Sequence, residues 1–126
     1  MKRLWIALGV LALLLAGSLW NTARVTRVSG TLTAALNQAE AAVAEDDWDT
    51  AEELTQQALE QWTAAEPWLA FVLCHENTDE VTTGFQEVLG FLQYRSAPEY
   101  DSANGALVAQ VEHLAEIEAL NWQNVL

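Results

Sequence analysis

The chain has 126 residues, of which five are basic and eighteen acidic, and its formal net charge is −13 at pH 7. All eighteen acidic residues lie from Glu40 onward, and a surface so acidic is repelled by nucleic acid and by anionic headgroups, which excludes a nucleic-acid partner. Cys74 is the single cysteine, so an internal disulfide and zinc sites of the multi-cysteine kind are excluded as well.

The first segment of the chain is apolar, since residues 4–20 carry no charge. Basic residues lie on both sides of this segment: Lys2, Arg3, Arg24 and Arg27. A helix that is apolar all round has no partner surface in water, whereas 17 residues just reach the span range of about 17 to 25. Trp5 and Trp20 would lie near the two membrane interfaces. The sequence therefore predicts a membrane anchor over residues 1–27.

A secretory signal peptide is the alternative interpretation of this segment. It would have the same basic start and apolar core, and Ala16 and Ser18 would suit a cleavage site. The tryptophans at both ends and the two later arginines favour a retained anchor. The two basic residues before the segment oppose those two arginines, and the amino terminus tips the balance toward a cytoplasmic N-terminus. We therefore expect the rest of the chain to be extracytoplasmic.

Residues 28–126 form one predicted domain, because about 99 residues suffice for one modest core and not for two. This domain holds all eighteen acidic residues and one basic residue, Arg95, which gives a formal charge of −17. Such a surface attracts cations or a basic partner. A simple solubilising surface is the interpretation that we favour.

Two amphipathic helices are predicted first. One has an apolar stripe of Leu32, Leu36, Ala39 and Val43. It can continue the membrane helix, and the acidic residues 45–47 end it. Asp47 or Asp49 can cap the second helix. Its stripe is Ala51, Leu54, Ala58 and Trp62. We expect it to stop by Glu66, because Pro67 disfavours helical geometry in the residue before it.

Two further helices complete the prediction. The third runs from Trp68 to about Tyr94 and is weakened in its middle by polar residues and Gly84. Its later stripe is Phe85, Val88, Leu89 and Leu92. Residues 96–101, with Pro98, are predicted as a loop, and the last helix begins near Ser102. Its stripe is Leu107, Val111, Leu114 and Ile117. The sequence therefore predicts an all-α fold, an antiparallel helical bundle that follows a transmembrane helix.

The two histidines are the candidate metal ligands. Asp79 follows His75 by four residues and Glu116 follows His113 by three, and on a helix each pair shares one face. These four side chains could hold a zinc or other divalent ion between two helices. The Glu-x-x-His spacing of di-iron carboxylate sites is absent. Histidines in such places more often form structural hydrogen bonds, which is the interpretation that we favour.

Catalytic patterns are absent from the sequence. Cys74 and His75 are neighbours, but adjacent side chains on a helix point about 100° apart and do not form a working pair. No Gly-rich phosphate loop, GxSxG or HExxH occurs. We therefore expect neither an enzyme nor a cofactor. Trp48 and Trp122, near predicted helix ends, are candidates for contact with a partner, although core packing is the commoner role of such residues.

Four features of the chain are distinctive: DDWDTAEEL from Asp46, Trp62, LCHENTDEV around His75, and VEHLAEIEALNWQNVL with His113 and Asn124. With these, nearly the whole chain resembles an uncharacterised family of short bacterial proteins with an N-terminal membrane anchor and a helical remainder. The family is a domain of unknown function, so the resemblance implies no activity. At most it implies that the protein acts together with a multi-pass membrane protein.

The sequence thus favours a single-pass protein that is held in the cell membrane by residues 4–20. Its extracytoplasmic helical domain would be an interaction or structural module of the cell envelope. The alternative function is a ligand or divalent-cation binding module that uses His75 and His113.

Overall fold

The computed structural model describes the backbone of residues 1–72 and 75–125 and the side chains of residues 1–20, 22–69 and 78–116. It contains four helices: α1, Lys2–Ala44; α2, Trp48–Val72; α3, His75–Tyr94; and α4, Ala97–Val125. No strand occurs in these described residues. The predicted all-α fold is confirmed.

The four helices form an antiparallel bundle. Helix α1 packs against α2 and α4, and α3 packs against the same two helices from the other side. Helices α1 and α3 therefore lie on one diagonal, and short connections join helices that are neighbours. The bundle has two ends: one holds the α1–α2 and α3–α4 turns, and the other, which we call the span-side end, faces the apolar start of α1.

Helix α1 is continuous from the apolar segment into the bundle. Residues 1–20 are exposed along their whole length, and the first buried residue is Val25. By length and composition, α1 is the one helix in the described part of the chain that could cross a membrane. The predicted continuation of the first segment into the bundle is confirmed.

Acidic residues shape the turn between α1 and α2. Helix α1 ends at Ala44, and Asp46 adopts a φ of 60°, in the left-handed region. The Thr50 backbone N–H then donates to Asp47 Oδ1 at 3.3 Å, which caps α2. Asp49 lies in the first turn, where its charge favours the positive helix end. Of the two predicted caps, Asp47 is the one observed.

The predicted end of α2 at Glu66 is wrong, because α2 continues through Pro67 to Val72. Proline in a helix interior costs about 3 kcal/mol, because it removes a hydrogen bond and its ring clashes with the carbonyl of the preceding turn. Continuation buries Leu69 on the same side as Trp62, and full burial of a leucine contributes about 1.5 to 3 kcal/mol. The two effects are of similar size, and burial offsets the proline. Helix α3 accordingly begins at His75 and not at Trp68.

The predicted loop over residues 96–101 is also wrong, since α4 begins at Ala97 and not near Ser102. Ser96 donates its hydroxyl to the Glu99 carboxylate, and this hydrogen bond lowers the pKa of Glu99. Pro98 lies in the first turn, where the backbone N–H it lacks would have no helical partner. Arg95, with a φ of 52°, separates α3 from α4.

The bundle core follows the predicted stripes. Its buried apolar side chains include Leu32, Leu36, Ala39, Val43, Ala51, Ala58, Trp62, Leu69, Phe85, Val88, Leu92, Leu107, Val111 and Leu114. Leu54 and Leu89 are half-buried at its edge. The Ile117 side chain lies outside the described residues. The periodic apolar positions therefore correctly identified the faces that pack together.

Gly84 permits close packing of α3 against α4. A Cβ atom there would lie 2.9 Å from Leu107 Cδ1 and 3.2 Å from Gln110 Oε1. Gly90 and Gly105, on the same two helices, have open space where a Cβ would be. Gly84 is thus a packing residue, whereas the other two glycines only weaken their helices.

We expect Trp62→Ala to lower the free energy of unfolding by about 3 to 5 kcal/mol, because a large core side chain is lost. The ring is only 1% exposed. The measurement is chemical unfolding of the detergent-solubilised full chain, followed by circular dichroism. Tyr94, which is 85% exposed on α3, gives the control: Tyr94→Ala should change stability by no more than about 0.5 kcal/mol. Equal effects of the two substitutions would contradict the core assignment.

We expect Gly90→Ala and Gly105→Ala each to stabilise the bundle by about 0.5 to 1 kcal/mol, because alanine favours helix and meets open space. Gly84→Ala should bring no such gain, since the buried Leu107 side chain must move to admit the methyl group. The same unfolding measurement compares the three variants. A full gain from Gly84→Ala would show that α3 and α4 are packed less closely there.

Candidate functional site

The predicted histidine site is only partly within the described side chains. His113 and Glu116 are close on α4, with His113 Nδ1 3.7 Å from Glu116 Oε2, and both side chains are exposed. Asp79 is exposed on α3, and the side chain of His75 lies outside the described residues. Among the side chains that are described, no three potential ligands gather into a metal site. The metal site and the proximity of the two histidines stay predictions.

An acidic groove lies between α3 and α4. Asp79, Glu80 and Glu87 line it together with Gly84 at its floor, and its volume is about 270 Å³. Since Gly84 faces Leu107 and Gln110, the antiparallel register brings Asp79 of α3 to the height of His113. The groove is open to solvent and holds these three carboxylates close together. Its carboxylates attract cations.

The predicted interaction residue Trp48 packs at the turn end of the bundle. Its ring is half-buried and meets Tyr100 edge-on, with centroids 6.3 Å apart and planes at 70°. Such pairs contribute about 0.5 to 1.5 kcal/mol beyond the area they bury. Trp48 thus has a structural contact, and its role toward a partner stays a prediction. The side chain of Trp122 lies outside the described residues.

Buried polar side chains join α1 to α4, and the sequence analysis missed them. Ser29 donates its hydroxyl to the Val111 carbonyl at 3.1 Å, and Asn104 donates its amide to the Leu36 carbonyl at 3.3 Å. Both residues are less than a tenth exposed. Each lies at a position where the apolar spacing predicts a hydrophobic residue. A polar residue at such a position is the signal that could have identified them.

Tyr100 adds a buried hydroxyl on α4, the helix that also carries Asn104. The side chain is fully buried, and neither its hydroxyl nor Asn104 Oδ1 has a hydrogen-bond partner in the structure. Burial, with the negative charges of Glu40 and Asp101, raises the pKa of Tyr100 far above its ordinary value. The residue is therefore a neutral core group at physiological pH.

A second group of contacts lies at the span-side end. Trp62 donates its indole N–H to Thr82 Oγ1 at 3.0 Å, and Thr82 donates in turn to the Thr78 carbonyl at 3.2 Å. Nearby, the Arg24 guanidinium lies over the Trp68 ring, 4.4 Å from its centroid. The first contact joins α2 to α3, and the second joins α1 to α2.

The outward side of α1 is open to solvent. Thr26, Gly30 and Ala34, which we call the α1 outer strip, line two shallow grooves of about 540 and 420 Å³ on the two sides of α1. Nothing lies within 4 Å of the place where a Gly30 Cβ would be. The first acidic residue of α1 is Glu40, so this strip is free of the negative charge that the other helices carry.

The family match covers the part of the chain that forms the bundle. The family model described as a domain of unknown function, DUF4363, matches residues 19–125, which is most of the chain. No curated protein and no solved structure matches. The match begins at the end of the apolar segment and takes in all four helices of the bundle. The chain therefore belongs to the DUF4363 family.

Proposed function

We propose that the protein is a single-pass membrane protein whose extracytoplasmic bundle is a protein-interaction module of the cell envelope. The observation that carries this proposal is the continuity of α1 over 43 residues. Its first part exposes apolar side chains on every side, and its later part forms one wall of the bundle. A bilayer removes the apolar surface from water, and the same helix then holds the domain at the membrane.

The buried polar groups of the bundle support interaction over catalysis. Ser29, Asn104 and Trp62 each bond to a neighbouring helix, so they fix packing and are not directed toward a substrate. The α1 outer strip, in contrast, remains open and continues the face of the proposed span. A partner embedded in the same membrane would meet this strip directly above the bilayer, where acidic repulsion is weakest.

We expect the full-length chain to stay in the membrane fraction after alkaline carbonate extraction, because residues 4–20 span the bilayer between two tryptophans. Immunoblotting of the pellet and supernatant gives the measurement, and intact mass gives the chain length. Recovery of a soluble form that begins near Leu19 would contradict the retained anchor.

The extracytoplasmic orientation has its own test. We expect Ser102→Cys, in a Cys74→Ser background, to react with a membrane-impermeant maleimide on intact cells, because Ser102 is exposed on α4. Cells opened by freeze and thaw give the control for total reactivity. Labelling that appears only after opening would place the bundle in the cytoplasm.

The proposed interaction can be tested by photo-crosslinking in native membranes. A benzophenone amino acid at Asn37, which lines a groove beside the α1 outer strip, should form a crosslink to another membrane or envelope protein. The matched control is Gln86, which is also exposed but lies on α3, diagonal to α1. No specific adduct at Asn37, or equal adducts at both positions, would contradict a role for this side of the bundle.

A further inference from the structure

The unbroken α1 fixes the height of the bundle above its proposed span. Arg24 lies over Trp68, so these residues of α1 and α2 are at the same height. Helix α2 runs antiparallel to α1 and ends four residues later, at Val72. Its end therefore reaches the height of Trp20, which is the last residue of the apolar segment.

The apolar segment is short for a bilayer, which brings the bundle closer to the membrane. Its 17 residues rise about 25 Å at 1.5 Å each, whereas the hydrocarbon core is about 30 Å thick. If Arg3 lies at one boundary of the hydrocarbon, the other boundary lies about three residues beyond Trp20. The end of α2 then lies at the boundary and not above it.

Helix α4, the other neighbour of α1, also runs toward the proposed membrane. The contacts of Ser29 with Val111 and of Leu36 with Asn104 have the same antiparallel register. Helix α4 continues fourteen residues past Val111, to Val125. At a constant rise it reaches the height of Leu15, which lies within the apolar segment.

The charge of the chain changes where the bundle meets this height. Acidic residues are frequent from Glu40 to Glu118, yet residues 67–74 and 119–126 contain no charged side chain. These two stretches include the end of α2 and the end of α4. A charged residue near the hydrocarbon is costly, so the uncharged end of α2 suits lipid contact. Glu118 on α4 and Glu76 on α3 come at about the height of the boundary, so we assign the contact to α2.

Arg24 and Trp68 supply the side-chain chemistry of a membrane interface. Indole rings favour the headgroup region, and an arginine over an aromatic face keeps its N–H edges free for hydrogen bonds. Lipid phosphate is the acceptor that a guanidinium matches best in that region. Arg27 adds a second positive charge one turn further along α1.

From these observations we propose that the span-side end of the bundle sits in the membrane interface. The end of α2 then contacts lipid, and Arg24, on Trp68, binds lipid phosphate. This inference rests on the proposed function, because it needs residues 4–20 to span the bilayer. It adds a second membrane contact that the span alone does not provide.

Nitroxide labels on the full-length chain in phosphatidylcholine and phosphatidylglycerol nanodiscs test this inference. In a Cys74→Ser background, one variant is labelled at Pro67→Cys and the control at Glu53→Cys. Both residues are exposed on nearly the same face of α2, about 21 Å apart along the helix. We expect the ratio of oxygen collisions to collisions with a water-soluble nickel complex to be higher for the label at 67 than for the label at 53.

Three outcomes would overturn the proposal or its basis. Equal access of nickel to both labels would mean that the end of α2 lies in water. Exclusion of both oxygen and nickel at 67 would mean that protein covers it. In either case, resistance to carbonate extraction would show that the anchor itself stands. Release of the chain by carbonate would instead remove the proposed function together with this inference.

The phosphate contact has a separate measurement. We expect Arg24→Gln to reduce the preference of the label at 67 for oxygen, and to do so more in nanodiscs with phosphatidylglycerol than in pure phosphatidylcholine. Lys2→Gln, which removes a charge at the far side of the proposed span, is the matched control and should leave the value unchanged. Equal values for Arg24→Gln and the parent chain would contradict the phosphate contact.

Discussion

The continuity of α1 is the constraint on which the rest of the structure depends. A hinge between the apolar segment and the bundle would allow the domain to tilt and rotate freely. Instead, the residues just beyond the segment already pack into the core, beginning with Val25. Helices α2 and α4 pack directly on α1, and α3 closes the bundle between them. The position of each helix is therefore set relative to one continuous helix.

Buried hydrogen bonds select one register from the several that apolar stripes would permit. A stripe of leucine, valine and alanine can slide by one turn and still bury similar surface. Ser29 and Asn104 each require a particular carbonyl on the facing helix, and an unmade bond would cost about 1 to 3 kcal/mol. Trp62 and Thr82 act in the same way between α2 and α3. A few buried polar groups thus hold the helices of this small core in one register.

Apolar spacing predicted the helices and their buried faces well, because core packing depends on periodicity that a single sequence displays. The ends of helices were predicted less well, since Pro67 predicted a helix end and Pro98 a loop, whereas both residues lie within helices. Their effect depends on tertiary burial and on capping, which act beyond the local pattern. The family was recognised from whole segments, whereas the role of Ser29 required knowledge of the facing helix.

An even number of antiparallel helices returns the chain to the side from which it started. Helix α4 ends at Val125, at the height of the apolar segment. With residues 4–20 in a bilayer, as proposed, a fluorescent protein or affinity tag fused after the last residue would be forced against that bilayer and would displace α4. The turn after Ala44 lies about 36 Å farther along α1 than Trp20 and is the safer point of insertion for a reporter.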